Sequence, residues 1–206
     1  MDIINLPIFH ITQISNLERI ISRGELLSDA RMNQENLDTH VIGDAEIKRR
    51  RLNEITTDCP PRRKVGEFVP FYYCPRSPML YRINKGGTGL AEGCQSEIVH
   101  LVSKIGFVVQ SGQTWVIADG NAGAYHTSFS NILDDIRELD WTAINSHYWS
   151  GVVHHKQAEF LVADTFSWRL ITHIGCYDMA AKQRVDEILR QTGHIPKVIV
   201  KREWYY

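Results

Sequence analysis

The stretch QAEFLVADTFSWRLITHIGCYDMAAKQRVDEILRQTGHIPKVIVK, residues 157–201, decides the fold class. Ala158 to Val162 and Arg169 to Ile174 are short apolar runs of strand character, 178–191 sets apolar residues at helical spacing, and Lys197 to Lys201 returns to β-branched alternation. Upstream the order is equally irregular. Ile8 to Thr12, Phe68 to Tyr73 and Thr114 to Ala118 read as strands; Pro70 cannot donate to a ladder and points to an edge strand or a bulge. Ser15 with Glu18 forms an S-x-x-E capping box for a helix with Leu17, Ile20 and Ile21 on one face and Gly24 after its last turn. A long polar loop is expected over 28–43, then a helix from about Asp44. Ile98, Leu101, Val102 and Ile105 predict a helix over 96–105, and another is expected around 130–138, capped by Ser130 or Asn131. Strands and helices mixed without βαβ alternation argue for an α+β domain. No G-x-G-x-x-G follows a strand, so a dinucleotide would not be held in the Rossmann manner.

Composition narrows the function classes. No repeat and no Gly/Ser/Pro linker divides the 206 residues, so one domain over 1–206 is expected. Apolar residues at 43% and charged residues at 23% fit a folded soluble protein rather than a disordered one. No apolar run approaches the ~20 residues that span a bilayer, so no membrane association is expected. MDIINLPIFH lacks the basic and long apolar segments of an export signal, and Cys59, Cys74, Cys94 and Cys176 form no C-x-x-C pair. A cytoplasmic protein with reduced thiols and no metal is expected. The net charge of −1 argues against coating nucleic acid through many phosphate contacts. Any such contact must be local. Lys48, Arg49, Arg50 and Arg51, followed by Arg62, Arg63 and Lys64, are either a short phosphate track or a solvated face.

Several residues could carry chemistry. Glu159 opens an apolar strand, where a carboxylate either protects an edge or faces a cleft that tunes it. His147, Tyr148 and Trp149, before Ser150 and Gly151, either plug the core or form an aromatic loop on which a flat base stacks. His10, between Phe9 and Ile11, is either a satisfied core histidine or a fixed N–H donor to a ligand hydroxyl. Ile47, Arg50 and Arg51 are three and four residues apart, so an arginine could reach inward beside a buried anchor and grip a pyrophosphate.

FHIT (9–12), IGDAEIKRRR (42–51), VPFYYCPRSPMLY (69–81), LDWTAINSHYW (139–149), QAEFLV (157–162) and WYY (204–206), in this order, resemble the DarT family. The resemblance spans nearly the whole chain, and its central and QAEFLV segments are the most specific. It implies an ADP-ribosyltransferase fold of the poly-ADP-ribose polymerase type, two small sheets flanking an NAD cleft with peripheral helices. The implied activity is transfer of ADP-ribose from NAD to thymine in single-stranded DNA, or to guanine in a related branch, by the toxin partner of a macrodomain antitoxin; a monomer is expected. Carried over by position, His10 and Thr12 meet NAD, Tyr72, Met79 and Leu80 line its cleft, and Glu159 is the catalytic acid. Arg51, with Arg50 next, is the essential arginine. Tyr148 and Trp149 belong to the substrate loop, with His147, His154 and Arg49 beside the DNA.

Two rivals remain open from sequence. His147, His154, His155 and Glu159 could serve a metal-dependent hydrolase or nuclease, or the chain could be a non-catalytic single-strand DNA-binding module.

Overall fold

The computed structural model describes residues 1–37, 44–190 and 192–206. The described strands are β1 (Pro7–Gln13), β2 (Glu25–Leu27), β3 (Phe68–Tyr72), β4 (Ile98–Lys104), β5 (Trp115–Ala118), β6 (Phe129–Ser130), β7 (Glu159–Ala163), β8 (Thr165–Ser167), β9 (His173–Cys176) and β10 (Lys197–Val200). The helices are α1 (Leu17–Arg23), α2 (Asp29–Gln34), α3 (Ala45–Asn53), α4 (Pro78–Asn84), α5 (Ile105–Gln110), α6 (Trp141–Asn145), α7 (Val153–Lys156) and α8 (Met179–Leu189). Eight strands join in the order β10-β9-β4-β1-β3-β7-β5-β6, while β2 and β8 make a separate pair. The expected α+β class is what the chain adopts.

The large sheet has a seam. β1 pairs with β4 over its whole length, and β3 pairs with β7 from Phe68↔Ala163 to Tyr72↔Glu159. Between β1 and β3 the register has one pair, Phe9↔Tyr72. Pro70 explains this: without an N–H it cannot extend a ladder toward β1, so the strands part beside it. The proline thus marks neither an edge nor a bulge but a split in the middle of the sheet. In place of the two small sheets expected around a cleft, the chain forms one eight-stranded sheet, joined at the seam by a single register pair, and the separate β2–β8 pair.

Other differences have physical causes. Residues 98–104 form a strand, because β4 is covered on both faces and its apolar residues therefore do not alternate, so their periodicity cannot distinguish strand from helix. Ser28 caps a short helix, α2, inside the expected loop by accepting from the Arg31 N–H; 38–43 of that loop lie outside the described residues. The Ser15 capping box does not form, since the Ser15 hydroxyl bonds Gln13 and α1 starts after a 3-10 turn at Ile14–Asn16. Residues 133–138 are 3-10 helix rather than α, with the Ser130 hydroxyl accepting from the Ile132 N–H. Trp168–Leu170 is likewise a 3-10 turn, so the strand there begins only at His173.

The main core gathers Ile8, Leu17, Phe71, Phe160, Phe166, Ile174 and Val185 from the large sheet, β8, α1 and α8. Burying each such side chain contributes roughly 1.5–3 kcal/mol. Asp178 caps α8, and its buried stripe of Ala181, Val185 and Leu189 packs on this core.

Candidate active site

A cleft opens at the seam. Its walls include His10 and Thr12 from β1, Pro70 and Tyr72 from β3, Met79 from α4, Asp29 from α2, and Ile47, Lys48 and Arg51 from α3. α3 starts where expected because the Asp44 carboxylate accepts from the Glu46 and Ile47 N–H groups at 2.9 and 3.0 Å.

The three consecutive arginines fan apart at helical spacing. Arg49 turns out to pair with Glu54, and the Arg50 guanidinium lies 5.8 Å from the Tyr125 ring centroid. Arg51 turns inward and is 8% exposed. Its Nη1 donates to both carboxylate oxygens of Glu159, at 3.1 Å to Oε1 and 3.0 Å to Oε2. Its Nη2 is buried with no partner among the described residues. An unsatisfied buried donor is costly, and a ligand oxygen in the cleft would satisfy it.

Glu159 is 1% exposed. It does not protect an edge, because β7 lies between β3 and β5 and pairs Glu159 with Tyr72 on one side and Ala118 on the other. The Ala122 N–H also donates to Oε1, at 3.0 Å. The carboxylate therefore sits one layer behind the cleft wall, with Arg51 between it and the opening. The loop carrying Ala122 approaches closely because residue 123 is glycine: a Cβ there would lie 2.7 Å from Ile47 Cγ2. Burial alone would lower the pKa of Arg51, but the adjacent Glu159 charge and then Asp29 outweigh it and raise it. Burial, with the Glu159 charge adding, raises the Tyr72 phenol, which stays protonated.

His10 reaches across the seam. Its Nδ1 lies 2.8 Å from the Pro70 carbonyl oxygen, which can only accept, so Nδ1 carries the proton. Burial lowers the His10 pKa and keeps the ring neutral. The expected N–H donor to a ligand is thus used within the protein; Nε2 is left as an acceptor. The Thr12 hydroxyl accepts from Asn16 Nδ2 at 3.1 Å and helps fix the same wall.

Other anticipated positions fall differently. Met79 faces the cleft, but Leu80, one residue on and about 100° round the helix, is fully buried with Ile11, Ile83 and Ile98. Leu80 is a core residue rather than a cleft residue. In the 146–152 loop Tyr148 is 93% exposed, so it plugs no core, and Trp149 meets the Tyr81 ring edge-on at 5.4 Å. His147 accepts from Arg76 Nη1 at 2.8 Å. His154 packs over Gly120, with the His126 ring centroid at 4.2 Å and Asp119 at 3.6 Å. The histidines expected of a metal hydrolase do not converge on Glu159, which is held by Arg51 and Ala122; α7 ends at Lys156, so His155 and Glu159 share no helix face. Sequence reasoning missed the Ala122 N–H, a backbone group without a signature, and Asp29, hidden in a presumed loop. The Asx/Ser chemistry of Ser28 was the available signal for the latter.

A family model described as "DarT: ssDNA thymidine ADP-ribosyltransferase" matches residues 9–206. A DNA ADP-ribosyl transferase of Thermus aquaticus is 39% identical over 203 residues, covering 97% of this chain and 88% of that relative. The solved structure of Thermus sp. 2.9 DarT in complex with ADP-ribosylated ssDNA matches with a TM-score of 0.91 at 37% identity, covering 98% of this chain and 96% of that one. The same protein in complex with NAD+ matches with a TM-score of 0.85 at 35% identity, covering 98% of each chain. A DNA ADP-ribosyl transferase-DNA ADP-ribosyl glycohydrolase fusion protein of Thermosipho africanus is 28% identical over 172 residues, covering 81% of this chain and 41% of the fusion. The chain belongs to the DarT family of single-stranded-DNA thymidine ADP-ribosyltransferases, enzymes that use NAD as co-substrate.

Proposed function

We propose that Glu159 and Arg51 together carry the transfer of ADP-ribose from NAD to a thymine base in single-stranded DNA. The observation that carries this reading is the buried Arg51–Glu159 pair at the inner end of the cleft, with a guanidinium nitrogen still unpartnered. NAD supplies the ADP-ribosyl group, freed from nicotinamide by cleavage of the glycosidic bond.

Glu159 accepts a hydrogen bond from the ribose 2′-OH and steadies the positive charge that grows on the sugar, an interaction strongest in the transition state. The same carboxylate takes the N3 proton of thymine, which is no nucleophile until deprotonated. Its oxygens are unequal: Oε1 is held by Ala122 and Arg51, and Oε2 by Arg51 alone. Oε2 is therefore the oxygen that becomes available when Arg51 shifts toward a ligand. Arg51, charged at any relevant pH, holds a pyrophosphate oxygen or polarises the base carbonyl beside N3. His10 Nε2 accepts from a ribose hydroxyl, and Tyr72 and Met79 enclose the nicotinamide end.

A duplex hides N3 in the base pair, so the acceptor is unpaired or flipped out. The exposed Tyr148, with His147 and Trp149 in the same loop, His154 on α7 and Arg49 on α3, meets that strand. A macrodomain antitoxin removes the modification, a pairing supported by the fusion of transferase and glycohydrolase in one relative. The enzyme acts as a monomer in the cytoplasm; no helix among the described residues is long and apolar enough to cross a membrane. Mass spectrometry of short oligonucleotides of varied sequence, after incubation with protein and NAD, tests the reading. One ADP-ribose on thymine-containing strands is expected, whereas modification confined to guanine, or none, would contradict it.

A further inference from the structure

Tyr81, Trp149, Tyr206 and Arg76 form a cluster at one end of α4, the helix that also supplies Met79 to the cleft. Tyr81 is 37% exposed and meets Trp149 edge-on at 5.4 Å and Tyr206 at 5.1 Å. The Arg76 guanidinium lies 4.5 Å from the Tyr206 ring centroid and donates through Nη1 to His147, while its buried Nε has no partner among the described residues. Tyr206 is fixed from several sides: its backbone N–H donates to Gln95 Oε1 at 2.8 Å, and its hydroxyl donates to the Arg76 carbonyl at 3.0 Å. The Tyr81 ring, exposed and braced edge-on by its two aromatic neighbours, lies in one cluster with a cation, and a nucleotide can use both, the π-face for its base and the positive charge for its phosphate.

The placement ties this cluster to the transfer site. α4 directs Met79 into the cleft and presents Tyr81 to the cluster two residues later. The loop bearing His147 and Trp149 runs on through α7 to Glu159.

We propose that Tyr81, braced by Trp149, and Arg76 form a subsite for a nucleotide adjacent to the modified one, its base on the exposed Tyr81 ring and its phosphate on Arg76. This rests on the DNA-modifying reading above and extends it from the reacting base to its neighbour. The competing role for the cluster is a brace for the 146–152 loop.

The test is steady-state ADP-ribosylation by the wild type, Tyr81→Ala, Tyr81→Phe and Arg76→Ala. The substrates are an oligonucleotide with one thymine and a set in which each neighbour of that thymine is in turn abasic. Tyr81→Ala should raise KM for DNA about tenfold at nearly constant kcat and unchanged KM for NAD, and Tyr81→Phe should restore the wild-type value. The Tyr81→Ala penalty should vanish on the strand that is abasic at one neighbour. Arg76→Ala should reduce the salt slope of log KM by about one. An unchanged KM for DNA, or a Tyr81→Ala penalty that persists at every abasic position, overturns the subsite and leaves only the brace. Transfer of no label to any strand by the wild type overturns the DNA reading itself, a result distinct from a variant-specific failure.

Discussion

Arg51 and Glu159 are both nearly shut off from water, and each makes the other's charge tolerable. Arg51→Ala would leave the carboxylate facing only the Ala122 N–H, at a cost of about 3–5 kcal/mol typical of a broken buried pair. Urea unfolding should report that loss, and transfer should disappear with it. At this scale the sequence was only partly legible. IKRRR shows three arginines, and helical spacing allows one or two of them to turn inward; which one depends on how α3 is set against Gly123, a distance no single-sequence pattern encodes. His10 was legible as a polar residue in an apolar strand. Its donor was not, because the Pro70 carbonyl that takes it lies sixty positions away.

Elements were read well where a cap or a turn residue fixed them and poorly where burial was symmetric. Asp44 announced α3, and the alternation over 197–201 announced β10, whereas β4 imitated a helix because both its faces are buried. Asp44 does more than cap: its carboxylate also pairs with Arg82 at 2.6 Å. Asp44→Ala should therefore destabilise by about 1 kcal/mol through the cap, while Asp44→Asn keeps most of the cap bond and loses only the ion pair. Chemical denaturation of the two variants separates these effects. The loop carrying Ala122 is the second sensitive element. Gly123→Val should push it off Ile47, withdraw the N–H from Glu159 Oε1, and lower kcat by roughly tenfold or more, with KM for DNA little changed. Crystallography or an N–H chemical shift at Ala122 would check the displacement.

For the whole molecule, the seam between β1 and β3 converts one sheet into two walls, and a proline legible in the sequence is its cause. Reading Pro70 as an edge strand was reasonable locally; the interior split needs the knowledge that β1 and β7 lie on either side. The same core sets a pH dependence. His100 is fully buried, its Nε2–H donating to the Pro75 carbonyl at 2.9 Å, and burial pushes its pKa down to about 4 despite that bond. The unfolded chain takes up this proton near 6.5, so folding stability is full above that pH and declines as pH falls from 6.5 toward 4. The loss from His100 should approach about 3 kcal/mol. His10 shifts in the same direction. Unfolding free energies at pH 7 and pH 4.5 should differ accordingly and the difference should shrink in His100→Gln; a flat profile over this window would contradict the assignment.

The most direct test compares the single-turnover rate of transfer from labelled NAD to a thymine-containing single strand by the wild type and by Glu159→Gln. The glutamine keeps the size of the side chain and can still accept from Ala122, but it neither balances the sugar's charge nor takes a proton from N3. A loss of about a thousandfold or more with a cooperatively folded variant is the predicted result. Transfer at the native rate would remove the buried carboxylate from the reaction.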